Sequence, residues 1–239
     1  MDTTADPFQP TKELVLSLLK ATNKIIERLK EHNSVNKVLE DWHEDMLNHL
    51  AAEVWLNGGR MFELFKQMEL NLSTLAYTVR NLLELNVWIE YTCKSKTNAR
   101  RFYEDKYRDG LGLAKALRGL INAVPNVPIV GIAELESQIS RLEKTIRDNA
   151  VLAGMTSVDD DFKRVVKAAD ELGSKEGFIA FNSLLSKFAH PTAFAALSFI
   201  TGDVLRQLFI LLFGIGLVLV IAACSNLRDY VASLGIDIT

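Results

Sequence analysis

The chain has 239 residues, enough to bury a sizeable core as one large domain or two small ones. Hydrophobic residues make up 49% and charged residues 24%, and the formal net charge of −3 gives no global attraction for nucleic acid or an anionic membrane surface. Five prolines and no regular alternation of apolar and polar residues argue against a β-sandwich, and the polar start MDTTADPFQP lacks a secretory signal, so a cytoplasmic location is expected.

Residues 1–10 read as a polar tail, and residues 11–239 as a single helical domain. Thr11 is the expected cap of a first helix, whose apolar positions Leu14, Leu18, Ile25 and Leu29 recur at helical spacing to about Glu31. His32–Asn36 is expected to turn. A second helix is expected from Val38 to Leu56, punctuated by Gly58 and Gly59, and a third from Met61 to Cys93, kinked near Asn71 and Ser73. The pattern breaks at Gly110-Leu111-Gly112, then resumes to Ala123. Two prolines make 124–131 non-helical, and its apolar character suits a loop packed on the core. Ala133–Asn149 follows as a helix. Ser157 and Asp160 stand as in a capping box before a helix over Phe162–Leu172. The remaining helices are Phe178–Ala189, stopped by Pro191, then Phe194–Ile200 and Val204–Leu234. The fold class is therefore all-α: an irregular multi-helix bundle of seven to nine helices with a very apolar C-terminal helix.

Two polar pairs interrupt otherwise apolar helices. Arg80 and Glu84 are four apart in Tyr77-Thr-Val-Arg-Asn-Leu-Leu-Glu-Leu-Asn86 and so share a helix face; Ser186 and His190 repeat that spacing just before Pro191. An R-x-x-x-E helix followed about a hundred residues later by an L-S-x-x-x-H-P helix end resembles a bacterial all-helical family of unknown function, itself distantly similar to the HEPN nucleotide-binding domains. The resemblance spans roughly 69–197. It implies an interaction or regulatory module acting in defence or stress, with an unidentified protein partner or a second copy of the chain. Many HEPN domains are RNA-cleaving toxins, which implies an alternative: a metal-independent RNase with His190 as general acid/base, Arg80 stabilising the transition state, and Ser186 and Glu84 orienting them. The chain departs from that pattern. Active HEPN nucleases carry an arginine four to six residues before the histidine, and positions 183 to 186 here hold Ser, Leu, Leu and Ser. The bland alternative is a buried polar network that fixes helix register.

Other constellations are weaker. Glu40-x-x-His43 matches half of a di-iron bundle signature, but no second copy occurs, and with Asp45, His49 and Glu53 it is expected to form a solvated acidic face. Lys94, Lys96, Arg100, Arg101, Lys106 and Arg108 interleave with Phe102, Tyr103 and Tyr107, the one stretch suited to RNA. Phosphate loops, zinc-type cysteine spacing and hydrolase elbows are missing, so neither cofactor nor metal is expected. Cys93 and Cys224 suit buried free thiols in a reducing compartment. Residues 208–224, LFILLFGIGLVLVIAAC, lack any polar side chain. At 17 residues the run sits at the lower limit for a membrane span. Gly214, Gly216 and flanks without a lysine cluster or tryptophan belt favour a helix buried on every side; a C-terminal membrane anchor is the alternative.

Overall fold

The computed structural model describes residues 9–36, 39–66, 71–123, 132–190 and 202–237. Among these the chain is all-α, with eight helices and no strand: α1 (Gln9–Asn36), α2 (Asp41–Lys66), α3 (Leu72–Lys94), α4 (Lys96–Ala123), α5 (Ile132–Leu152), α6 (Val165–Glu171), α7 (Lys175–Ala189) and α8 (Gly202–Ser233). The expected loop at 124–131 and the expected short helix Phe194–Ile200 lie outside the described residues, as does most of the expected polar tail.

Several expected boundaries move, each for a local reason. The turn at His32–Asn36 is instead the last turns of α1. Asn33, 1% exposed, accepts from the Leu39 backbone N–H at 2.7 Å and donates to Glu44, so its polarity ties α1 to the entry of α2. Gly58 and Gly59 do not end α2. A Cβ at Gly58 would stand 3.1 Å from Leu19 Cδ2, so the missing side chain permits close packing within a continuous helix. Asn71 is a helix start, its side chain accepting from the Thr74 N–H at 3.0 Å. Gly110 and Gly112 are absorbed in α4, the first facing Ile146. Residues 153–164 make a turn segment, so α6 begins only at Val165, beyond the expected capping box.

The chain divides into two compact units: residues up to Ala99 together with Val165 onward, and Arg100–Arg164. In the first unit α3 packs against α2, α6, α7 and α8, while α1 packs against α2 and α8. The buried stripe of α8, Phe209, Leu212, Phe213, Gly216, Val220, Ala223, Leu227 and Val231, follows the helical period and closes this core, with Phe213 stacked on Phe65 at 4.3 Å between centroids. The expectation that α8 is covered on every side is corrected. Only 39% of its most apolar stretch is buried, and Ile210, Leu211 and Val218 are exposed.

In the second unit α4 and α5 share a small core of Ala114, Ile121 and Ile139. The turn segment after α5 is held to α4 by side chains: Arg100 donates to the Ala153 carbonyl, Arg101 Nη2 to the Asp161 carbonyl at 2.7 Å, and the Lys163 N–H to Asp105 Oδ2 at 3.0 Å.

Candidate functional site

Arg80 lies mid-way along α3, two turns after its Asn71 cap, and His190 ends α7. The two side chains are 110 positions apart in sequence, and the packing of α7 on α3 brings them together. Arg80 Nη1 stands 3.0 Å from His190 Nε2. A guanidinium can only donate, so the imidazole accepts at Nε2. Arg80 Nε lies 3.3 Å from Glu84 Oε1, an ion pair across one helical turn with side chains 27% and 35% exposed. That contact is too poorly aligned for a hydrogen bond, and Nε is a buried donor without one. His190 is exposed and has left the helical conformation (φ −110°, ψ 152°), with its backbone N–H reaching the Ser186 carbonyl at 3.4 Å. Ser186 is half-buried one turn earlier on the same helix. Arg80, Glu84 and His190 are thus solvent-reachable rather than a dry network inside the core.

The basic stretch is extensively engaged in internal contacts. Lys94 Nζ donates to the Glu171 carbonyl at 3.2 Å, and Lys96 pairs with Glu40 at 2.5 Å. Arg100 and Arg108 meet Glu104, Arg101 and Arg108 meet Asp105, and Lys106 Nζ lies 3.6 Å from the Tyr103 ring centroid and 5.0 Å from that of Tyr107. Arg108 and Asp105 are each 7% exposed, a burial that spacing within a charged stretch does not reveal.

The acidic-face expectation for α2 is corrected at one position. His49 is exposed and lies 3.3 Å from Asp45, but His43 is 3% exposed. It stacks on Trp42 with centroids 4.9 Å apart, and its Nε2 lies 3.1 Å from the Tyr230 hydroxyl of α8. Burial, with a smaller contribution from the Lys96 ammonium, holds its pKa below the ordinary 6.5. The signal that could have found it is the i, i+3, i+4 series His43, Met46, Leu47, Leu50, which places the histidine on the apolar face. Both thiols are free. Burial pushes Cys93 up to about 12, and Cys224 lies 3.0 Å from the Thr22 hydroxyl, so neither is poised as a nucleophile. Among the described residues there is no group of three or more metal-ligating side chains.

Comparison of the chain with protein-family models, with curated proteins and with solved structures returns no match.

Proposed function

We propose that the chain is a helical interaction or regulatory module, of the kind used in defence or stress systems, which engages an acidic or phosphorylated surface of a partner protein through Arg80 and His190. The carrying observation is the contact between Arg80 Nη1 and His190 Nε2 at a solvent-reachable position. A general base needs its lone pair directed at the proton it removes, whereas the Nε2 lone pair here is directed at Arg80. Recognition requires only that the guanidinium and the ring present N–H donors to an anion that displaces their mutual contact. Crosslinking in the native host, followed by recovery of the chain, tests this. Loss of the dominant crosslinked species in both Arg80→Ala and His190→Ala is expected; an unchanged set in both would remove the reading.

The HEPN-like RNase is the second reading, supported by the same apposition of one arginine and one histidine. If substrate draws Arg80 onto a phosphate, Nε2 becomes available as a base. Incubation of purified protein with mixed RNA decides it: cleavage lost in His190→Ala supports it, and either no cleavage or equal cleavage by the variant ends it. RNA would then also contact the Lys94–Arg108 stretch.

For location, we propose a cytoplasmic protein in which α8 serves as a core helix rather than an anchor. What supports this is its buried stripe against α1, α2 and α3. The anchor alternative draws on its exposed face of Ile210, Leu211, Val218 and Ile221.

A further inference from the structure

A concavity lies in the first unit, apart from Arg80 and His190. It has a volume of about 470 Å³ and is lined by Glu90, Cys93 and Lys94 of α3, Leu172, and Asn226, Asp229, Tyr230 and Ser233 of α8. That volume suits a small metabolite.

Helix termini and carboxylates give this region negative potential, against which the Lys94 ammonium stands in the lining. The lining residues of α3 are among its last five, and those of α8 among its last eight, so two long helices direct their negative dipole ends at this region. Glu90 and Asp229 add two carboxylates. Arg228 meets Asp229 through Nε and Nη2, both at 3.0 Å from Oδ1, which leaves Oδ2 as an acceptor. One lining side chain already shows what this environment accepts: the Lys94 ammonium is held at 3.2 Å by the Glu171 carbonyl at the end of α6. Tyr230 adds an aromatic wall to which an ammonium is attracted, and its hydroxyl is fixed from behind by the buried His43. The Cys93 thiol in the same wall stays protonated and adds no charge to the cleft.

We propose that this cleft binds a small organic amine, with Glu90 and Asp229 as counter-charges and Tyr230 as the face against which the cation rests. Lys94 occupies part of the amine's electrostatic niche, so ligand and lysine compete.

Calorimetric titration of the full chain with spermidine at low salt tests the assignment. Saturable 1:1 binding is expected, weakened at least tenfold in Glu90→Gln/Asp229→Asn and strengthened in Lys94→Met, with all variants retaining the parent helical signal by circular dichroism. Arg80→Ala is expected to bind spermidine as the parent does, which separates this cleft from the surface at His190. Absence of saturation, equal affinity in the double variant, or weaker binding by Lys94→Met would overturn the proposal.

Discussion

At the scale of single residues, stability rests on a few charged or small groups placed where their neighbours leave no substitute. Arg108 and Asp105 are nearly excluded from water and 3.0 Å apart, and Asp105 also accepts the Lys163 N–H. Asp105→Ala leaves the buried Arg108 guanidinium with Glu104 alone and strands the Lys163 backbone donor, for an expected loss of about 1–3 kcal/mol in denaturant unfolding. Gly216 faces Met61 and Val79 so closely that an added Cβ would stand 2.9 Å from Val79 Cγ2 and nearer still to the Met61 sulfur. Gly216→Ala is expected to cost about 1–3 kcal/mol, whereas Gly214→Ala, with open space before it, is expected to be neutral or slightly stabilising. His43 carries the pH dependence. Its folded pKa is depressed, so the unfolded chain binds the proton more readily. Its contribution is therefore present in full above 6.5 and is lost as pH falls from there through the depressed folded value. Unfolding midpoints measured from pH 7.5 to 4.5 should fall in this window for the parent, and less steeply for His43→Phe.

At the scale of elements, α8 decides most. Its buried stripe meets α1, α2 and α3. Truncation after Asp203 is expected to leave those faces uncovered and the protein insoluble, while the full chain partitions to the soluble fraction without detergent. Recovery of the full chain in the membrane fraction would instead establish the anchor. The existence of nearly every helix was legible, because apolar residues at period 3.6 identify a buried face whatever it packs against. Boundaries were less so. Gly58 and Gly110 read as breakers because glycine destabilises an isolated helix, and only their neighbours Leu19 and Ile146 reveal a packing use. Asn33 read as a turn residue because its partners, Leu39 N–H and Glu44, are supplied by the next element.

At the scale of the whole molecule, the candidate site and the stability of the fold are separable. The Arg80–Glu84 pair is partly exposed, so removing it is expected to cost under about 1 kcal/mol. Arg80→Ala should accordingly unfold at nearly the parental midpoint, and any loss of partner association or RNA cleavage it causes would belong to the site and not to misfolding. The cleft at Tyr230 was invisible beforehand because its residues come from positions 90–94, 172 and 226–233, each unremarkable within its own helix.

The sequence by itself determined the helical class, the apolar stripes and the helix-face pairings Arg80/Glu84 and Ser186/His190, since all follow from spacing along one chain. The tertiary structure decided which of those faces meet. It joined Arg80 to His190 across 110 residues, left Ser186 one turn away, placed His43 inside and left one side of α8 exposed. Contacts between distant segments depend on which helices pack together, and helical period carries no information about that.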